Sequence, residues 1–269
     1  HLDYNLQRLG PTDPNIVNDI SAVDAEAGKI IDSAKEQGAD VVVLSEYAIM
    51  AVDNPIHINR ILRHHGFLQV RQECTGWETL DGGASRAFAV ADHQIAHIYI
   101  RDSCDIPHLE TLLRETKGID QVLNRDMQKI LGIDHERAGD LVVVAEQGCW
   151  FTYYFWFDDI RAPDYARTVD IHRKPGYDPA ELFVDPKIRF PGFRIARRLI
   201  QKNLGMRYLM DVIGLDATVV KGSHGRLSES GREESDAPVF ISSSRAIEQD
   251  KMAVIDVKEA ILRLQFEFS

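Results

Sequence analysis

Ala39-Asp40-Val41-Val42-Val43-Leu44-Ser45-Glu46-Tyr47-Ala48-Ile49 is the stretch from which the fold is read. Val41 to Leu44 are apolar without a break, and three of the four are β-branched. Such a run predicts a strand buried on both faces, the kind found in a parallel sheet. At its end the chain turns polar at once and offers a carboxylate and a phenol. In open α/β sheets the carboxyl edge of the strands is where ligands bind, because loops there vary over a rigid base. Glu46 as an ordinary loop residue facing water is the plain alternative.

Upstream, Ile16, Val17, Ile20, Val23, Ala27, Ile30, Ile31 and Ala34 recur at helical spacing within Asn15 to Gln37. Gly38 follows where a left-handed C-terminal cap is wanted. His1 to Pro11 reads as the end of a strand and a loop. Helix, glycine and buried strand make half of a right-handed crossover, which puts the Asp3 loop and Glu46 on one edge of one sheet.

Downstream, Ile58, Ile61 and Leu62 predict a short helix closing at Gly66, with a strand over Phe67 to Val70. Ala87 to Ile100 alternates as a strand or hairpin, and in strand geometry His93, Ile95 and His97 share a face. Asp92, His93 and His97 are read there as structural residues rather than ligands. Leu109 to Thr116 reads as a helix. Asp120 to Leu131 reads as a helix too, although Ile119, Val122 and Leu123 suit a strand. Leu141 to Ala145 is a second apolar strand, and Trp150 to Asp159 is an aromatic cluster expected in the core. Asp170 to Phe183 reads as a loop, Ile195 to Leu204 as a basic helix, and Ala217 to Val220 within Val212 to Lys221 as a third apolar strand. Arg226 to Ser235 is polar and expected to be mobile; Pro238 to Ser242 and Met252 to Leu264 read as a closing strand and helix.

The 269 residues, 44% hydrophobic, suffice for a large core in one domain or one and a half. A formal net charge of −11 argues against nucleic acid and against an anionic membrane surface as the main partner. Cys74, Cys104 and Cys149, odd in number and far apart, form neither a disulfide framework nor a Cys-x-x-Cys metal site, so a reducing cytoplasm is the expected setting. No apolar run is long enough to span a bilayer and no signal peptide is seen.

Three segments share one grammar of apolar strand, sharp turn and metal-type ligand, ending in Asp3, Glu46 and His224. Side chains at the carboxyl ends of parallel strands converge on one cleft, and carboxylates with an imidazole suit a divalent cation. Each taken singly is also an ordinary loop residue.

Asp3-Tyr-Asn-Leu-Gln7-Arg-Leu-Gly10-Pro11 resembles the Asp-x-x-x-His-x-x-Gly-Pro motif of the alkaline phosphatase superfamily, in its type I phosphodiesterase/nucleotide pyrophosphatase branch, with phosphonoacetate hydrolase as a relative. Ser45-Glu46-Tyr47-Ala48 falls where that family has Ser/Thr-Asp-His-Gly, and Gly222-Ser223-His224-Gly225 where it has Gly-x-His-Gly. Ile133 to Ala145 is similar to the family's stretch leading into a late strand. The resemblance implies an α/β fold with a mostly parallel sheet sandwiched by helices. The core would span 1–55 and 136–269, with an inserted α+β cap region over 56–135. It implies one or two divalent ions, zinc or manganese/magnesium. Asp3, Gln7 and His224 fall on ligands of one, Glu46 and Tyr47 on the pair that holds the other. Gln for His and Glu-Tyr for Asp-His replace nitrogen donors by oxygen, which favours Mn²⁺, Mg²⁺ or iron over a tight zinc pair.

In the family the nucleophilic Thr or Ser lies before the Asp-x-x-x-His motif, where this sequence begins. The resemblance therefore implies the C-terminal portion of a longer enzyme, with no catalytic nucleophile in this chain and little activity by itself. Arg173 and Lys174, with His172 beside them, are candidates to bind a substrate phosphate or carboxylate, or are solvated loop charges. Asp170 is a further possible ligand in the same loop. The expected function is metal-dependent hydrolysis of phosphate mono- or diesters, nucleotide pyrophosphates or phosphonates. The expected partners are a small phosphate or phosphonate substrate and either the N-terminal segment or a second copy of the chain. A non-catalytic relative that binds a ligand or partner is the alternative, and phosphoryl transfer a third.

Overall fold

Leu141–Ala145 is buried at every position, and its two faces belong to different packing clusters. Leu141, Val143 and Ala145 join the main core, whereas Val142 and Val144 pack with Leu123 and the half-buried Met127 and Ile95. The two-residue period of a strand thus splits one apolar run between two cores.

The structure is a computed structural model and describes residues 2–177, 179–226, 237–244, 247 and 251–266. It divides into two units, one of residues 1–2, 13–48 and 228–269, the other of residues 3–12 and 49–227. In chain order the elements are α1 (Leu2–Leu9), α2 (Ile16–Glu36), β1 (Val42–Leu44), β2 (Met50–Ala51), β3 (Asn54–Ile56), α3 (Ile58–His64), β4 (Val70–Gln72) and β5 (Glu78–Leu80). There follow β6 (Ala87–Asp92), β7 (Ile95–Ile100), α4 (Ile106–Arg114), β8 (Ile119–Leu123), α5 (Arg125–Ile130), β9 (Leu141–Ala145) and β10 (Cys149–Phe151). The last are β11 (Gly176–Tyr177), α6 (Pro191–Asn203), β12 (Gly222–Ser223), β13 (Phe240–Ser242) and α7 (Val257–Phe266).

In the first unit α2 is the expected helix, and β1 pairs antiparallel with β13. The expectation of a strand buried on both faces in a parallel sheet is corrected here: Val43 is 37% and Leu44 45% exposed. An apolar β-branched run specifies extended backbone, but not which neighbours cover it. Ser45 tightens the end of the pair, donating its N–H to the Val239 carbonyl and accepting the Val239 N–H at its hydroxyl, both at 2.9 Å.

The second unit holds a five-stranded sheet in the order β11-β6-β7-β9-β8. Only β11 and β6 run parallel in it; a second parallel pair is β10 with β3, and the other pairings among the described strands are antiparallel. The class is mixed α/β. Leu109 and Leu113 of α4 are fully buried, and α4 packs on β8 and β9. The aromatic stretch behaves as expected, with Trp150, Phe151, Phe155 and Trp156 fully buried in the main core. Asn59, also fully buried, serves β6 as a substitute strand: its Oδ1 accepts the Ala89 N–H and its Nδ2 donates to the Ala89 carbonyl, both at 2.8 Å.

Several local expectations change. Residues 2–9 form a helix instead of a strand end and loop, because Leu2, Leu6 and Leu9 fall at helical spacing and Gln7 hydrogen-bonds back to Asp3. Ala217–Val219 is a single 3₁₀ turn, not a strand: Asp216 accepts the N–H and the hydroxyl of Thr218 and so bends the chain before β-pairing begins. Extended structure starts at Val70 and not at Phe67, and residues 119–131 resolve into β8 followed by α5, capped by Asn124. Of the polar segment Arg226 to Ser235, all but Arg226 lies outside the described residues.

His57 precedes α3, accepts or donates at Thr152 Oγ1 (2.8 Å) and stacks on Tyr154. Burial first, then the Arg60 guanidinium, pulls its pKa from 6.5 to about 4. The unfolded chain therefore binds a proton that the folded protein refuses between those values, so stability rises with pH from about 4 to 6.5. In the variant His57→Gln the slope of unfolding free energy against pH in that window should be shallower, by at most about 1.4 kcal/mol per pH unit. Urea unfolding at a series of pH values measures it, and parallel slopes would refute it.

Candidate functional site

The Asp3 motif and the His224 motif are sewn together by backbone. Lys221 donates its N–H to the Gln7 carbonyl at 2.8 Å and accepts the Val52 N–H at 3.0 Å, and β12 then pairs with β2. Gly222 makes the approach possible: a Cβ there would stand 2.2 Å from the Leu6 carbonyl oxygen and 2.7 Å from Ile49 Cγ2. Tyr4 fixes α1 from the other side, edge-on to Phe183 at 5.3 Å between centroids.

Within this seam Asp3 accepts Gln7 Nε2 at 2.9 Å on Oδ2. Gln7 is 2% exposed, and its Oε1 is buried without a hydrogen-bond partner among the described residues, as is the Ser223 hydroxyl next to His224. His224 is half-buried. Its pKa falls to about 4, chiefly by burial and then by His93, with Asp92 and Asp3 pulling the other way. Asp3 and His224 thus lie within electrostatic reach of one another.

His93 is the residue that sequence reasoning set aside. It occupies the first place of the two-residue turn between β6 and β7, with φ +58°, and its ring stacks on His224 at 3.9 Å between centroids and 25° between planes. A left-handed backbone is uncommon outside glycine, although histidine enters this region more readily than most side chains. Asp92 Oδ1 holds His93 Nδ1 at 2.6 Å, and this bond leads the causes that keep the Asp92 carboxyl below its usual range. The signal available in the sequence was an Asp-His pair at a hairpin tip that lacks the usual Asn-Gly. His97, by contrast, is structural as expected, taking the Gly139 N–H on Nδ1 at 3.0 Å.

The remaining candidates lie elsewhere. Glu46 and Tyr47 follow β1 in the first unit, both exposed. Arg173 pairs with Asp164 at 3.1 Å and lies over the Tyr165 ring. Lys174 is buried, with its ammonium 5.7 Å from the centre of the Tyr153 ring, and His172 is exposed. Asp170, exposed, accepts the Arg173 N–H on its carbonyl at 3.3 Å.

A model of the type I phosphodiesterase/nucleotide pyrophosphatase family matches residues 1–178. The chain belongs to that family. No curated protein matches it. Among solved structures, murine ectonucleotide pyrophosphatase/phosphodiesterase 5 is similar at 16% identity and a TM-score of 0.41, over 55% of this chain and 36% of that one. Phosphonoacetate hydrolase from Sinorhizobium meliloti, solved with phosphonoformate, is similar at 18% and 0.41, with the same coverage. Human ectonucleotide pyrophosphatase/phosphodiesterase 5 gives 15% and 0.41, over 56% and 37%. The chain spans little more than a third of the length of these proteins.

The donors in the seam can be tested for fit to a divalent cation. Among the described residues no three carboxylate, imidazole or thiolate groups are gathered closely enough to hold one. The seam offers two strong donors, Asp3 and His224, and an amide whose buried oxygen lacks a partner.

Gly222→Ala should force α1 from β12 and destabilise the second unit by more than about 2 kcal/mol. Thermal unfolding reads this; a change under half of that would show that the seam yields without cost.

Proposed function

We propose that this chain carries metal ligands of the active site of a hydrolase of phosphate esters, nucleotide pyrophosphates or phosphonates. The observation that carries the reading is the seam, in which the Asp3-x-x-x-Gln7 helix and the Gly222-x-His224-Gly225 turn are held side by side. Family membership supplies the chemistry. Asp3, Gln7 and His224 would hold a divalent cation.

A bound cation of this kind polarises a phosphoryl oxygen and offsets charge on the attacking and leaving oxygens. The chain's own part is to prepare the donors. Gln7 Nε2 fixes one oxygen of Asp3, so the carboxylate enters with one rotamer already selected. His224 stays neutral at ordinary pH and keeps a nitrogen lone pair to offer. Stacking against His93, itself held by Asp92, limits how far the His224 ring can turn. Gln7 in place of a histidine lowers affinity for zinc relative to manganese or magnesium.

Calorimetric titration with Mn²⁺ and Zn²⁺ tests the assignment. Asp3→Asn and His224→Ala should each weaken binding at least about tenfold, and Gln7→His should raise Zn²⁺ affinity by a similar factor. Unchanged binding in both loss variants would remove the site. The second reading, a non-catalytic relative, is favoured by Gln7 and Tyr47 standing where the family has histidines. Detectable metal-dependent hydrolysis of a generic phosphodiester by the whole protein, lost in Asp3→Asn, would eliminate it.

A further inference from the structure

A cavity of about 430 Å³ opens in the second unit, and no residue discussed as a metal ligand lines it. Its wall carries three cations, Arg60, Arg167 and Lys187, and three carboxylates, Asp159, Asp185 and Asp216. By formal charge it is neutral. The hydrogen bonds leave all six charges in place but distinguish the groups that have partners from those that do not.

Each carboxylate is already engaged. Asp159 accepts Trp156 Nε1 at 2.9 Å and faces Arg60 Nη2 at 3.6 Å. Asp185 accepts the Lys187 backbone N–H at 2.9 Å. Asp216 accepts the N–H and hydroxyl of Thr218 at 3.1 and 2.6 Å. Of the cations, Arg60 is anchored, with Nε on the Trp156 carbonyl at 2.5 Å. Arg167 and Lys187 make no side-chain hydrogen bond or ion pair among the described residues. Lys187 lies near enough to Asp216 to help hold that carboxylate ionised, but without contact.

We propose that this cavity binds the dianion of a phosphate monoester, with the Arg167 guanidinium and the Lys187 ammonium as its charge partners. Arg167 and Lys187 offer donors that no protein group takes up, and a phosphate group, with a charge of about −1.5 to −2 at neutral pH and three terminal oxygens, can engage both, whereas a single carboxylate has two oxygens and one charge. A guanidinium fork takes two phosphate oxygens and an ammonium serves as a point charge on the third. Arg60, fixed by Trp156 and Asp159, presents a rigid donor wall and loses little freedom on binding. The volume exceeds a bare phosphate and suits a small organic ester. Pro55, Leu215 and Ala217 supply apolar lining for its carbon part, and His57 is neutral there. The inference is independent of the hydrolase reading, since it requires no metal and no residue of the seam.

Calorimetric titration of the full chain with inorganic phosphate, in metal-free buffer near neutral pH, tests it, with malonate as a dianion of different shape. Saturable phosphate binding is expected, weakened at least about tenfold in Arg167→Gln and in Lys187→Glu, with malonate binding more weakly. Lys187 is exposed, so Lys187→Glu carries the test if Arg167→Gln fails to fold. The proposal is overturned by the absence of saturable binding at millimolar phosphate or by equal affinity in the folded variants. Equal affinity for malonate, or loss of binding in Asp3→Asn in place of the cavity variants, would overturn it too.

Discussion

One backbone hydrogen bond, from Lys221 to the Gln7 carbonyl, joins segments from opposite ends of the chain, and the chemistry proposed here depends on it. A hydrogen bond of this type contributes only about 1 kcal/mol net, too little to hold two segments by itself. What makes it effective is what surrounds it. Gly222 lacks the side chain that would keep α1 away from β12, Tyr4 seats α1 on Phe183, and β12 is paired with β2. Loop closure over the intervening chain is offset by the large core of the second unit, to which Val220 belongs and on which Tyr4 packs.

The strand Leu141–Ala145 and the strand Val42–Leu44 read alike in sequence and differ in structure. Both are unbroken apolar runs, and both were expected to be buried. The first is a central strand with neighbours on both sides and packing clusters on both faces. The second has one partner, β13, and stays half-exposed. Local pattern records what a segment tolerates; coverage is set by elements remote in sequence, and no period of two or 3.6 encodes them. The helix over residues 2–9 shows the opposite failure. Its leucines fall at helical spacing, but so short and polar a segment carries too few apolar positions to separate a helix from a loop.

The two motifs are legible where residue type is itself the signal: a carboxylate and an imidazole mark Asp3 and His224, the family resemblance adds Gln7, and the fold places the two motifs side by side. His93 was not legible, because its role depends on a tight hairpin turn in left-handed conformation that stacks it on a ring from far along the chain. Arg167 and Lys187 were equally hidden: neither lies in a motif, and only the cavity puts them on one wall.

The seam and the cavity handle negative charge by opposite means. In the seam the fixed charge near His224 is negative, from Asp3 and Asp92, so a phosphoryl group would be repelled until a cation is present. In the cavity the cations are side chains of the chain itself, and the three carboxylates that balance them accept N–H and O–H donors. A protein with a formal charge of −11 gains nothing in solubility from two cations facing a cavity without partners. Their placement is explained if an anion completes them. A chelator would therefore act on the two places differently, abolishing anion binding at the seam and leaving that at the cavity intact. That separates a metal-borne affinity for phosphate from one built into the side chains.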